Sequence, residues 1–188
     1  MPFFQDFGPI NLGQVHAFCL DLYYILKDPK YSNVKIYIHT PDNFKAKANS
    51  IFLICSFQII MLGRSALEAY KLFLNEKIRP YRDASKGPST YNCTIMHCLQ
   101  AIEAALKFEW YNPKTFDIAQ YKYYEKVENG DLTWIFPKLL ALCSPCDKKY
   151  YLPINFSHNP EFYIPILKKL GVTLIIRLNS REYDKSVT

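Results

Sequence analysis

The sequence predicts an α/β chain, with a mainly helical first domain followed by a truncated βαβ start of a second one. Three observations predict it. Apolar residues recur at helical spacing over residues 9–26, 45–62 and 90–108. Residues 34–39 alternate apolar and polar as a strand does. From 139 to 178 an apolar strand, a helix and a second apolar strand follow in order.

The first helix, 9–26, rests on Leu12, Val15, Cys19, Leu22 and Leu26 at helical spacing, with Asn11 and Gln14 placed like a capping box. In 34–39, Val34, Ile36 and Ile38 alternate with Lys35, Tyr37 and His39, so a strand is expected before the Pro41–Asn43 loop. The apolar stretch 45–62 is a core helix stopped by Gly63, and Ser65 with Glu68 caps a further helix through Leu74. After the Pro- and Gly-punctuated segment 79–89, a helix over 90–108 carries Ile95, Leu99, Ile102 and Leu106 on one face. A shorter helix is expected over 115–127, ended by the Asn129-Gly130 turn. Residues 139–143 read as a strand, 160–170 as a helix closed by Gly171, and 172–178 as a nearly continuous apolar strand. Together they form one βαβ unit of a parallel sheet.

With 49% hydrophobic residues over 188 positions, the chain can bury a core, which excludes a disordered class. The longest apolar run, 51–62, is broken by Ser56 and Gln58 and falls short of a bilayer span, so no membrane association is expected. The N-terminus shows no secretory pattern, which points to a reducing compartment. Cys19, Cys55, Cys93, Cys98, Cys143 and Cys146 are therefore read mainly as structural thiols. The net charge of +6 is spread along the chain instead of massed on one helix, a weak footprint for nucleic acid, so none is expected as partner.

Chemistry is sparse. Cysteine-dependent phosphatases need Cys-x5-Arg, because the loop and its Arg cradle phosphate while a thiolate attacks. No cysteine here has Arg six positions on; beside Cys98 that place holds Ala104. The segment from His39-Thr40 into the 45–62 helix repeats the layout of such a loop with a hydroxyl at the thiol's place, but suits a plain strand-loop-helix equally. Cys143 and Cys146 form a Cys-x-x-Cys after a strand, so a thiol redox pair stays open, although 147–153 shows no helical period. Cys93 and Cys98, five apart on the expected helix, fall on different faces, and the histidines show no paired spacing. Neither metal nor cofactor is expected. Tyr121, Tyr123 and Tyr124 read more readily as core cover than as a base-stacking platform.

Several motifs carry a resemblance: FGPINLG at 7–13, KAKANSIFLI at 45–54, YRDAS at 81–85, YNCTIMHCLQAI at 91–102, YEKVENGDLTWIFP at 124–137, then NPEFY and GVTLIIRLN. In order and spacing they resemble the N-terminal half of the mitotic-exit, or cell-division-cycle fourteen, dual-specificity protein phosphatases. The resemblance covers nearly the whole chain and implies two tandem phosphatase-like domains. Residues 1–137 would be the noncatalytic first domain, short of its opening strands, and 138–188 the truncated start of the catalytic domain.

It further implies recognition of phosphoproteins with basic residues after a phosphoserine-proline site, through an acidic groove. By motif, Asp83, Glu125, Asp131 and Glu161 match its substrate-binding carboxylates, while Lys122 stands where another acid is expected and Glu128 only flanks. No catalytic residue is assigned. The partner implied is the missing catalytic domain, the address is nuclear, centrosomal or cytoplasmic, and these residues alone should bind without hydrolysing. A noncatalytic phosphopeptide-binding module and a Cys143–Cys146 redox protein are the alternatives.

Overall fold

The computed structural model describes residues 7–83, 87–146, 158–178 and 183–184, in two compact units that divide between Phe116 and Asp117. In the first unit, α1 spans Leu12–Lys27 and starts where the Asn11 side chain accepts from the Gln14 N–H at 2.8 Å. Pro29 keeps Asp28 out of helical geometry, at ψ 120°, and the helix gives way to a 3-10 turn over Pro29–Tyr31.

The strand expected over 34–39 does not form. Among the described residues no neighbour pairs with it, and Val34, Ile36, Tyr37 and Ile38 are all exposed. Alternation is a local property, but a strand persists only when a ladder and an apolar face hold it. The phosphatase-loop layout read at His39-Thr40 loses its strand with it.

Helix α2, Phe44–Leu62, is capped by Asn43, which accepts from Ala46 N–H at 2.8 Å. It ends at Gly63, whose φ of 67° lets Gly63 and Arg64 donate back to Ile59 and Gln58. By length and composition alone it could cross a membrane, yet Ala48, Ile51, Phe52, Cys55 and Ile59 are buried in a core with α1 and α4. Two buried polar groups on it are satisfied locally. Ser56 donates to Phe52 O, and Gln58 accepts from Arg64 at 2.6 Å.

The Ser65–Glu68 capping box forms as expected and opens α3, Ala66–Tyr70, which tightens into a 3-10 turn over Lys71–Phe73. Next, β1 (Tyr81–Arg82) pairs antiparallel with β2 (Asn92–Cys93), and Phe7 bridges to Arg82 on the other side. Pairing at β2 delays α4 to Ile95–Lys107, with Thr94 rather than Thr90 at its start. Ile95, Leu99 and Ile102 of α4 are buried, and Leu106 packs beside them half-buried. At the unit's end His16 Nδ1 lies 2.7 Å from Tyr111 Oη, against the ring of Phe116.

The second unit opens with α5, Ile118–Tyr124, shorter than expected and capped by Asp117. A 3-10 turn, Val127–Asn129, leads to Gly130 and then to β3, Leu132–Phe136, which returns as β4, Leu139–Leu142. The two form an antiparallel hairpin with Leu132 opposite Leu142. After the hairpin α6, Pro160–Lys169, is capped by Asn159, starts on Pro160 and stops before Gly171 at φ 71°. Leu132, Tyr163 and Leu167 make the core.

The βαβ unit expected from 139 to 178 is therefore corrected. β4 pairs backwards with β3, and among the described residues 172–178 forms no strand, leaving Leu174 74% and Ile176 69% exposed. An apolar strand of a parallel sheet needs partners on its edges and cover on both faces. What stands among the described residues is a mixed class of helices with two small antiparallel sheets.

Candidate functional site

The four acidic positions singled out in the sequence sit at four different kinds of place. Asp83 directly follows β1, half-buried, and its Oδ2 accepts from Thr90 Oγ1 at 3.2 Å, so the two feet of the 83–90 loop are tied together. Arg82 adds a bond from Nη2 to Gly87 O. Ala84 and Ser85, which complete the RDAS motif, lie outside the described residues.

Glu125 is the C-terminal cap of α5, half-buried, with its N–H on Tyr121 O at 3.0 Å. A carboxylate there faces the negative end of the helix, so helix capping does not account for it. Asp131 carries a φ of 50°, straight after Gly130 at 113°. Asp is one of the few residues that tolerates this left-handed region. The two consecutive turns swing the half-buried Asp131 to the head of the hairpin, where its N–H bonds Lys126 O at 3.1 Å and its carbonyl accepts from Cys143 N–H at 3.1 Å. Glu161 lies exposed in the first turn of α6, where the helix's positive end favours a carboxylate without any ligand. Glu128, in the 3-10 turn, and Lys122, on α5, are exposed.

Within the second unit the Asp131 turn and the start of α6 are joined. Tyr163 Oη donates to Gly130 O at 3.0 Å, and His158 Nε2 lies 2.7 Å from Val127 O while its ring stacks on Phe162. Glu125, Asp131 and Glu161 thus belong to one fastened substructure, whereas Asp83 belongs to the first unit. His158 was not singled out from the sequence as a positioning residue, because its partner lies 31 residues away and leaves no local signal.

The cysteines divide by environment. Burial pushes the Cys19 and Cys55 thiols up to about 12. Burial first, and then the Asp131 charge and its hydrogen bond, raise Cys143 as well. The exchange nucleophile of a thioredoxin-like Cys-x-x-Cys works through the reverse, a depressed thiol pKa. Residues 147–153, which would open the helix of a thioredoxin-like motif, lie outside the described residues. Cys93 is not on α4, as the sequence reading had it; it lies in β2, and its sulfur meets that of Cys98 at 3.5 Å. Among the described residues no three His, Cys, Asp or Glu side chains gather to hold a metal ion.

A family model described as "Dual specificity protein phosphatase, N-terminal half" matches residues 1–105. The dual specificity protein phosphatase CDC14A of Homo sapiens is 41% identical over 186 residues, covering 97% of this chain and 31% of that protein. CDC14B of Mus musculus is 37% identical over 185 residues, covering 97% and 38%. The tyrosine-protein phosphatase CDC14 of Saccharomyces cerevisiae is 26% identical over 190 residues, covering 97% and 34%. The chain spans about a third of the length of these relatives.

Proposed function

Since the chain belongs to the family of dual specificity protein phosphatase N-terminal halves, with CDC14 phosphatases among its relatives, we propose that it is the substrate-recognition half of such an enzyme. That enzyme acts on phosphoproteins that carry phosphoserine-proline with basic residues just after it, and this chain recognises them. Asp83, Glu125, Asp131 and Glu161 supply the negative charge that meets those basic residues. Residues 1–137 form the noncatalytic domain, and 138–188 begin a catalytic domain whose Cys-x5-Arg loop this sequence does not contain. The protein works inside the cell, in the nucleus, at the centrosome or in the cytoplasm.

The observation that carries this reading is the build of the 125–131 turn. In a chain of net charge +6, two left-handed residues and a tie from α6 hold Asp131 at a fixed, half-buried place, and Glu125 stands where a helix gains nothing from a carboxylate. Half-buried carboxylates gain more from a Lys or Arg partner than exposed pairs, which contribute about 0–1 kcal/mol each. The given residues carry no Cys-x5-Arg loop, so in this reading they hold the peptide by its basic residues and leave the phosphate ester intact.

Titrating the full chain with a phosphoserine-proline-x-lysine peptide, while assaying released phosphate, tests both halves of the proposal. Saturable binding without phosphate release is expected, weakened by the double reversal Asp83→Lys/Glu125→Lys. Affinity unchanged by the reversal would reject acidic recognition, and steady phosphate release would reject the noncatalytic part.

A further inference from the structure

Cys93 and Cys98 flank the start of α4 at two particular positions. Thr94 is the N-cap, with Oγ1 accepting from His97 N–H at 3.2 Å and His97 Nδ1 accepting from Thr94 N–H at 3.3 Å. Cys93 is then the residue before the cap and Cys98 the fourth of the helix, the pair whose side chains fold onto one another in a hydrophobic staple. In this staple both members are thiols, and their sulfurs stand 3.5 Å apart.

We infer that Cys93 and Cys98 form a reversible disulfide, a redox staple that locks β2 to the first turn of α4 when the chain meets a hydroperoxide. The sulfurs need to approach by only about 1.5 Å to reach disulfide length. The backbone that has to yield is slight, a two-residue strand and the end of a helix. Both residues are half-exposed, within reach of a small oxidant, whereas Cys19 and Cys55 are buried. Burial, then the neighbouring Cys93 sulfur, push the Cys98 thiol up to about 12, so it waits as a thiol while Cys93 meets the peroxide.

The Cys93 thiolate attacks one peroxide oxygen and the O–O bond breaks. This leaves sulfenic acid on Cys93 and a hydroxide that is protonated to water. The Cys98 sulfur then attacks the Cys93 sulfur and the S–O bond breaks. The departing hydroxide takes the Cys98 proton and leaves as a second water. Two electrons have passed from the sulfurs to the peroxide, and a dithiol reductant returns them by exchange.

The test uses the full reduced chain, treated with hydrogen peroxide, alkylated and digested with trypsin, so that residues 87–107 form one peptide bearing both cysteines. That peptide is expected to lose two hydrogens, resist alkylation and recover both thiols with dithiothreitol. It should do so several-fold faster in the folded chain than in urea. Cys93→Leu, which keeps an apolar staple, should abolish the reversible loss while Cys98 stays alkylatable or gains oxygen. Alkylation of both cysteines after peroxide, oxygens added to either cysteine of the unsubstituted chain (Met96 scored separately), pairing with another cysteine, or equal rates in urea would each overturn the inference.

Discussion

The Tyr163 hydroxyl donates to the carbonyl of Gly130 at 3.0 Å, and the same ring lies 3.4 Å from where a Cβ on Gly130 would stand. With the contact of His158 on Val127 O, this bond fastens the Asp131 turn to the start of α6. Tyr163→Phe should destabilise the second unit by about 1 kcal/mol, since it leaves a buried carbonyl without its donor. Gly130→Ala should cost more, because the backbone there is left-handed at φ 113° and the new methyl would meet Leu132 at 3.2 Å. Urea unfolding followed by tyrosine fluorescence reads both, and an alanine variant as stable as the parent would contradict the geometry.

Leu99 is wholly buried in the first core, facing α2 from α4. Leu99→Ala removes the middle of that contact and should cost about 2–5 kcal/mol. The thermal midpoint should fall by several degrees, and a loss no larger than that of an exposed control such as Leu72→Ala would show the core to be elsewhere.

Burial lowers the pKa of His16 from its ordinary 6.5. The unfolded chain therefore binds a proton at higher pH than the folded one. The stability this difference contributes is full above the unfolded value and is lost as pH falls through the folded value. His16→Gln, which keeps a polar atom toward Tyr111, should flatten the pH dependence of unfolding below about 6.5 relative to the parent. Parallel profiles would mean the ring is not desolvated.

Burial holds the Cys143 thiol up, and the Asp131 charge and its hydrogen bond raise it further. Asn tolerates the same positive φ, so Asp131→Asn changes the charge and little else. Iodoacetamide should then label Cys143 faster at a given pH, with Cys146 as internal reference. Equal or slower labelling would place the carboxylate away from the sulfur.

Helix starts and stops were the most legible part of the sequence, because their causes are local. Asn11 three residues ahead of Gln14 opens α1, Gly63 behind Leu62 closes α2, and the Ser65–Glu68 box opens α3, each by bonds within a few residues. The expected strands at 34–39 and 172–178 failed for the opposite reason, since pairing depends on distant residues that a periodicity does not contain. Cys93 was misplaced because Thr94 heads a capping box with His97 at the position where Glu or Gln is the familiar sign. The apolar pattern alone extends the helix back to Thr90 and so places both thiols on it, whereas α4 begins at Ile95. For the candidate site, the Asn129-Gly130 turn was readable from turn chemistry alone. The importance of Asp83, Glu125, Asp131 and Glu161 came from motif resemblance, and the fastening by Tyr163 and His158 came from neither.

Residues 172–178 put Leu174, Ile176 and Leu178, at 95% exposure, on the surface of a β-prone heptad whose charge is Arg177 alone. Such a stretch is a template for its own copies. Turbidity and light scattering of the purified chain should rise steeply with concentration, and a lysine at Ile176 should act as a gatekeeper that restores clarity. The colloidal behaviour of these 188 residues should therefore respond to changes in this one short segment more than to changes in the helical core.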